Sequence, residues 1–198
     1  YFGIPTSESH ALIAGISGAA IAIQKGFLGI NVAEWIKVIY GLGISTVLGF
    51  TFGFLVTKLI RKLFKYADRQ KATKFFKRTQ VAGGAAMAFM HGAQDGQKFM
   101  GVFILVIALT NGNTDFGSAT PPFWMMLICS LLMSVGTSLG GYKIIKSVGM
   151  DMVKLEPYQG FSADIAGAFC LLISSLLGFP VSTTHTKTTA IMGAGATK

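Results

Sequence analysis

The chain has 198 residues, of which 52% are hydrophobic, 13% are charged and 25 are glycine. Soluble domains carry about 25% charged residues because their surface must be solvated, so this composition disfavours a soluble domain with an unusually apolar core. Small residues let helices approach closely in lipid, and the composition therefore predicts an all-α membrane protein.

The first two apolar runs differ in length and in their glycines. Residues 11–23 form the first run, which is short for a membrane span of about 20 residues. Residues 32–59 form the second run, whose glycines predict a helix face that packs closely against another helix. These glycines are Gly41, Gly43, Gly49 and Gly53.

The net charge of +9 is concentrated in residues 58–78, which hold nine of the 17 basic residues and one acidic residue, Asp68. A basic segment between two apolar runs is the positive-inside signal, so we expect a cytoplasmic loop of a multi-pass plasma-membrane protein. Aromatic residues interleave with the basic ones, which favours contact with anionic lipid headgroups. An RNA-binding loop is the alternative, but nothing else in the chain resembles a nucleic-acid module, so no nucleic-acid partner is expected.

Beyond the basic segment, an apolar run is interrupted where a helix is still expected to cross the membrane. Residues 81–90 and 99–109 are apolar, and His91-Gly92-Ala93-Gln94-Asp95-Gly96-Gln97-Lys98 separates them. Unpaired backbone groups in lipid are costly, so a broken helix is tolerated only where it lines a cavity or binds a solute. The sequence therefore predicts a helix break and a candidate site at residues 91–98.

The last third of the chain contains a second predicted break. Pro121-Pro122 begins a helix that continues to about residue 139, and residues 140–160 are mixed and predicted to be interfacial. A final apolar run is stopped by Pro180, and a further helical segment resumes at residue 188.

An octapeptide near the start of the chain is repeated near its end. Residues 3–10 read Gly-Ile-Pro-Thr-Ser-Glu-Ser-His, and residues 178–185 read Gly-Phe-Pro-Val-Ser-Thr-Thr-His. The two copies share a glycine, a proline, a serine, a second hydroxyl residue and a histidine in the same order. Interrupted helices at matching positions are typical of inverted repeats, so we predict an inverted-repeat secondary transporter with broken helices and re-entrant hairpins.

This repeat divides the chain into three parts. Residues 1–57 are expected to be the end of a first repeat, with a hairpin half-helix and a transmembrane helix. Residues 58–78 are the basic loop, and residues 79–198 are a second repeat that is truncated at its C-terminal end. The chain opens without methionine at Tyr1, and we expect it to be an internal portion of a longer chain.

The repeated motif has the chemistry of an anion site. A helix that starts at Ser182, Thr183 and Thr184 presents free N–H groups and a partial positive charge, and its hydroxyls add donors. Ser7 and Ser9 offer the same groups in the first copy. The alternative for each copy is plain N-capping, which stabilises a helix by about 1 kcal/mol without any ligand. His10 and His185 are gating or hydrogen-bonding candidates, and we favour a role in holding the hairpin.

The segment at residues 91–98 has the opposite chemistry. A carboxylate within the membrane is costly unless it meets a cation or a proton, so Asp95 with Gln94 predicts a site for Na⁺ or H⁺. Gln97 follows one turn later and is a further candidate ligand. Lys98 either neutralises Asp95 as a structural ion pair or attracts an anion, and His91 is another hydrogen-bonding or gating candidate.

The motifs in the second half of the chain, taken in order, closely resemble the inorganic phosphate transporter family. They are Pro180-Val181-Ser182-Thr183-Thr184-His185, His91 to Lys98, Gly140-Gly141-Tyr142-Lys143-Ile144-Ile145-Lys146-Ser147-Val148-Gly149 and Pro157-Tyr158-Gln159-Gly160-Phe161. The resemblance is strong over residues 80–198 and includes residues 3–18 as the end of the first half.

The resemblance implies symport of inorganic phosphate, coupled to Na⁺ or H⁺, through an inverted-repeat membrane fold. No other cofactor is expected, and a homodimer is compatible with the resemblance. Its implied phosphate ligands are Ser7, Ser9, Gln94, Asp95, Ser182, Thr183 and Thr184. Its implied cation ligands are Gln94, Asp95, Gln97 and Glu8, with Na⁺ at Asp95.

The chain departs from the family pattern at two positions. Gln94 stands where the family usually has asparagine, which changes the reach of that side chain. Glu8 stands opposite Thr183 in the aligned repeats, and a carboxylate there would repel phosphate unless it binds the cation or faces away. The Asn-Asp segment of the first half is absent from this chain.

Two other functions are alternatives to phosphate symport. An anion channel would use the same helix dipoles but would need no Na⁺ or H⁺ gradient. A membrane enzyme acting on phosphate esters would need an acid/base pair or a metal cluster, for which His185 and Asp95 alone are weak candidates. We therefore expect a transporter and no enzymatic activity.

Overall fold

The computed structural model describes residues 6–112, 120–147 and 153–197, which are helical and contain no strand. The six α-helices of these ranges are α1 (Glu8–Gln24), α2 (Val32–Leu63), α3 (Arg69–Thr110), α4 (Phe123–Lys146), α5 (Pro157–Leu176) and α6 (Thr183–Gly195). A short 3₁₀-helix, Phe27–Gly29, lies between α1 and α2.

Most of these helices begin where the sequence supplies a cap. The side chains of Asn31 and Asp68 accept hydrogen bonds from the first main-chain N–H groups of α2 and α3. Helix α5 has Pro157 in its first turn and a reciprocal capping box between Glu156 and Gln159. Such caps satisfy the N–H groups that have no partner within the helix, so they fix where each helix starts.

Helix α3 is continuous through residues 91–98, and the predicted break there is wrong. Its 42 residues extend about 63 Å at 1.5 Å per residue. Gly92 and Gly96 are tolerated inside the helix, where the backbone groups remain paired. The polar chemistry of this segment is therefore supplied by side chains on one helix face and not by unwound backbone.

The second predicted break is present between α5 and α6. Helix α5 ends at Leu176, and Gly178 then adopts a left-handed conformation with φ of 69°, which favours glycine. Helix α6 begins at Thr183 with Ser182 as its cap, as the repeated motif predicts, five residues before residue 188, where the helical segment was expected to resume. Gly3 and Pro5, the corresponding residues of the first copy, lie outside the described residues.

Helices α2 and α6 pack through the predicted glycine face. One stripe of α2 is buried and consists of Val38, Gly41, Ser45, Gly49, Gly53 and Thr57. A Cβ added at Gly41, Gly49 or Gly53 would overlap atoms of residues 180–190 on the neighbouring segment. Gly43 differs, because no atom lies within 4 Å of a Cβ placed there. Three of the four predicted glycines therefore serve close packing.

The basic segment is mainly a helical hairpin and not the loop that was predicted. Residues 58–63 end α2 and residues 69–78 begin α3, so only residues 64–68 link the two helices. Phe76 is 3% exposed and packs on the rings of Tyr158 and Phe161 of α5. Its aromatic ring is thus used for packing between helices, while Tyr66 remains exposed.

The fold places α5 at its centre, in contact with α2, α3 and α6, while α4 lies outside and contacts α3. Three helices of the described chain are long and apolar enough to cross a membrane, within Val32–Leu63, Phe123–Tyr142 and Pro157–Leu176. Many apolar side chains on them are exposed to the surroundings. This pattern, with small residues between helices and large apolar residues outside, is that of an all-α membrane protein.

Candidate functional site

The starts of α1 and α6 meet, although 175 residues separate their caps. Ser7 caps α1 and Ser182 caps α6. The Ser182 hydroxyl donates to the Ser7 hydroxyl at 2.8 Å, and the Thr184 hydroxyl donates to the Thr6 main-chain carbonyl at 3.3 Å. The positive ends of two helix dipoles therefore converge on one region, which favours negative charge there.

Histidines of the repeated motif surround these caps. Ser7 Oγ accepts from the main-chain N–H of His10 at 3.3 Å, and Ser182 Oγ accepts from that of His185 at 3.2 Å. The Nδ1 atom of His185 also lies 2.8 Å from Ser182 Oγ. The two imidazole rings contact each other edge to face, with centroids 5.4 Å apart. This geometry favours a structural role for His10 and His185, in which they hold the two copies of the repeated motif together.

Helix α3 brings the Asp95 carboxylate to the start of α6. Asp95 is 1% exposed, and Thr183 donates to its Oδ2 atom at 2.9 Å. His91 Nε2 lies 2.9 Å from the same oxygen. The ammonium of Lys98 donates to the other oxygen, Oδ1, at 2.9 Å. Both carboxylate oxygens are therefore engaged by side chains.

Lys98 also joins three separate segments of the chain. Its Nζ atom donates to Ser9 Oγ on α1 at 2.7 Å and to the Val181 carbonyl in the link before α6 at 3.2 Å. Together with the contact to Asp95, these bonds use all three donors of the ammonium. The ion pair that the sequence suggested is present, and it crosslinks both copies of the repeated motif through α3.

The two glutamines of the segment lie outside this cluster. Gln94 is buried, and its amide nitrogen donates to the Leu171 carbonyl at 3.1 Å and to Ser175 Oγ at 2.8 Å. Its Oε1 atom is buried and has no hydrogen-bond partner among the described residues. Gln97 is exposed, and no described residue forms a hydrogen bond with its side chain. The structure thus directs Gln94 to α5 and leaves Gln97 on the surface.

Glu8 lies at the edge of the cluster, in the first turn of α1. Its Oε2 atom is 3.9 Å from His91 Nε2, and its side chain is about half exposed. One ligand atom each of Glu8, His91 and Asp95 lies within 4.8 Å of the others, a spacing that a metal ion could bridge. The Lys98 ammonium contacts the other carboxylate oxygen, Oδ1, so Asp95 already has one positive charge beside it in this arrangement.

Three partners in the site were missed by reasoning from the sequence. The Val181 carbonyl binds Lys98, while the Leu171 carbonyl and Ser175 hold Gln94. Main-chain carbonyls carry no sequence signal, since every residue has one. The nearest sequence signal for the Val181 carbonyl is the position of Val181 within the repeated motif, next to the helix break.

Comparisons with known proteins agree with the motifs. A profile of the phosphate transporter family matches residues 1–198. A probable low-affinity inorganic phosphate transporter of Bacillus subtilis (strain 168) is 40% identical over 99% of this chain and 58% of that protein. A protein of Rhizobium meliloti (strain 1021) with the same description is 37% identical over 100% of this chain and 58% of that protein. The chain thus spans a little over half the length of these relatives.

A solved structure has the same fold. It is described as the sodium-dependent phosphate transporter, with a TM-score of 0.86 and 22% sequence identity. The match covers 99% of this chain and 65% of that structure. The family and these relatives are phosphate transporters and not enzymes, which disfavours the enzyme alternative. Because the family profile matches it from end to end, the chain belongs to the phosphate transporter family.

Proposed function

We propose that the full-length protein carries inorganic phosphate across the membrane by symport with a cation, Na⁺ or H⁺. The observation that supports this most directly is the meeting of two helix starts, Ser7 and Ser182, beside the paired charges of Asp95 and Lys98. Positive helix ends, hydroxyl donors and an ammonium are the groups that recognise an oxyanion in a low-dielectric site.

The proposed phosphate ligands are the hydroxyls and main-chain N–H groups at these helix starts. They belong to Ser7, Ser9, Ser182, Thr183 and Thr184. In the described arrangement several of these hydroxyls bond to one another or to Asp95. A phosphate would replace such bonds with stronger bonds to its charged oxygens. The Asp95 carboxylate repels the anion, and its bonds to Lys98 and His91 offset that repulsion.

The same contacts provide a gate for alternating access. The bond between Ser182 and Ser7 and the bond between Thr184 and Thr6 link the two copies of the repeated motif. If the copies belong to opposite repeats, rocking of one repeat against the other breaks these bonds and opens the site to one side. Two hydrogen bonds of this kind contribute about 0.5–1.5 kcal/mol each, which a bound solute can outweigh.

We also propose that the protein is a multi-pass protein of the plasma membrane, with residues 58–78 facing the cytoplasm. The support is the density of basic residues in the hairpin between α2 and α3. Basic residues are rare in the outer loops of membrane proteins and frequent in the cytoplasmic ones. Anionic lipid headgroups would then be its neighbours.

Uptake of radiolabelled phosphate into proteoliposomes of the full-length protein tests the proposal. A symporter accumulates phosphate only when an inward Na⁺ or pH gradient is imposed. A channel, the second candidate, equilibrates phosphate along its own gradient and is indifferent to these cation gradients. Uptake that is equal with and without both gradients contradicts symport.

Asp95→Asn is the variant that tests the site. We expect gradient-driven phosphate uptake to fall at least about tenfold, because hydrogen bonds to charged groups contribute roughly 1.5–3 kcal/mol each and Asp95 receives several. Uptake is measured under the gradient that drives the wild-type protein. Glu34→Gln is the matched control, since Glu34 forms an exposed ion pair with Lys37 on α2. An unchanged dependence of uptake on Na⁺ and pH in the Asp95 variant would overturn a role of Asp95 in coupling.

A further inference from the structure

The Lys98 ammonium is surrounded by oxygen atoms of the kinds that also coordinate Na⁺. Its three neighbours are a carboxylate oxygen of Asp95, the hydroxyl of Ser9 and the main-chain carbonyl of Val181, at 2.9, 2.7 and 3.2 Å. They come from α3, α1 and the link between α5 and α6. In secondary transporters, carbonyls of unwound segments are typical ligands of a coupling Na⁺.

We propose that Lys98 is a resident cation, which occupies the position of a transported sodium ion at Asp95 and lets phosphate bind without Na⁺. This inference rests on the proposed function, because it concerns the same phosphate site. Lys98 thereby determines which ion is coupled to phosphate transport, and Na⁺ is not the ion coupled at Asp95.

The charges of the site support this assignment. Lys98 lies three residues after Asp95 on the same helix, so its ammonium is covalently tethered within reach of the carboxylate. A sodium ion at the same oxygens would lie against the ammonium and be repelled. The other carboxylate oxygen is already shared by His91 and Thr183. Within the described part of the chain, Asp95 therefore has no oxygen without a partner.

A purely structural ion pair would have different consequences. Removal of a structural lysine destabilises the fold but gives the protein no new response to Na⁺. Removal of a resident cation leaves Asp95, Ser9 and the Val181 carbonyl as an oxygen cage that a free Na⁺ can enter. The response to Na⁺ thus separates the two roles.

The experiment measures binding of radiolabelled phosphate to the purified full-length protein in NaCl and in choline chloride of equal ionic strength and pH. In wild-type protein we expect the same phosphate affinity in both salts. In Lys98→Asn we expect weaker binding in choline chloride that Na⁺ restores by about tenfold, within the usual range of coupling between two sites. Lys98→Arg keeps the positive charge, and its phosphate affinity should remain independent of Na⁺.

A second measurement needs no phosphate. A ligand that binds only the folded state raises the melting temperature, so Na⁺ should stabilise Lys98→Asn and leave wild-type protein unaffected relative to choline. Lys37→Asn is the control, because Lys37 forms an exposed ion pair with Glu34 at the same three-residue spacing. Its response to Na⁺ should equal that of wild-type protein.

The outcomes separate the two proposals. Phosphate binding by wild-type protein that strengthens about tenfold with Na⁺ would overturn the resident cation and leave phosphate transport standing. A rise in the melting temperature of wild-type protein on addition of Na⁺ would also overturn the resident cation. So would the absence of such a rise in a folded Lys98→Asn variant. Absence of phosphate binding in every salt would instead contradict the proposed function, and the melting temperatures would still decide the role of Lys98.

Discussion

At the scale of residues, the site consists of polar side chains that satisfy one another across helices. Asp95 receives bonds from His91, Lys98 and Thr183, and the caps Ser7 and Ser182 bond to each other. An unpaired polar group in this environment would be costly, so these bonds are favourable. The bond from Thr183 to Asp95 joins α6 to α3, and the bond between the two caps joins α6 to α1. The exception is the buried Oε1 atom of Gln94, which has no partner among the described residues.

The two capping serines should lose stability in a coupled way. Ser7→Ala and Ser182→Ala each remove a helix cap, which costs about 1 kcal/mol, and each also removes the bond that the two hydroxyls share. The double variant should therefore lose less stability than the sum of the single losses, by about 0.5–1.5 kcal/mol. Thermal unfolding in detergent without phosphate measures this difference. The control pair combines Ser182→Ala with Ser130→Ala, whose hydroxyl bonds only within α4, and should be additive.

At the scale of elements, small residues decide which helices touch. The buried stripe of α2 recurs every three or four residues, which keeps it on one helix face. Glycines on that face bring the α2 backbone against α6, and Gly193 of α6 in turn lies against the carbonyl of Phe50. This packing holds the start of α6, and therefore Ser182 and Thr183, at a fixed depth beside α3.

Two alanine substitutions on α2 should have opposite effects. In Gly53→Ala the new Cβ overlaps the main-chain carbonyl of Ala190, which cannot move without shifting α6. Overpacking of this kind costs roughly 1–3 kcal/mol, so the melting temperature should fall. In Gly43→Ala the Cβ enters open space, and the better helix propensity should leave stability equal or up to about 1 kcal/mol higher. Equal melting temperatures for the two variants would contradict packing through Gly53.

At the scale of the whole molecule, α2 separates a nearly neutral turn from a basic one. Its 32 residues span about 48 Å, which exceeds the roughly 30 Å of a hydrocarbon core. The connection between α1 and α2 and the link at residues 64–68 should therefore lie on opposite sides of the membrane. The positive-inside rule places the basic link in the cytoplasm.

Cysteine labelling tests this orientation. Leu28 is 94% exposed in the first connection and Tyr66 is 91% exposed in the second, so each tolerates replacement by cysteine. A membrane-impermeant maleimide should label Leu28→Cys in intact cells and Tyr66→Cys only in inverted vesicles. The wild-type protein is the control, because Cys129 and Cys170 are buried. Labelling of both variants from the same side would contradict the crossing by α2.

The sequence by itself determined the features that depend on local chemistry. Apolar runs predicted the spanning helices, Pro180 predicted the break after α5, and the repeated octapeptide predicted the caps Ser7 and Ser182. The ordered motifs also predicted the family, which the comparison confirmed. These features are readable because a cap, a break or a hydrophobic run involves residues that are close together in the chain.

Only the tertiary structure decided which polar groups meet. Gly92 and Gly96 favoured a break at residues 91–98, but the helix continues there because its side chains find partners on other helices. Thr183 reaches Asp95 across 88 residues, and Lys98 reaches Ser9 across 89. Contacts over such separations depend on how helices pack, which no local pattern records. For that reason, the sequence suggested the pairing of Lys98 with Asp95, but the contacts of its ammonium with Ser9 and the Val181 carbonyl became visible only in the folded chain.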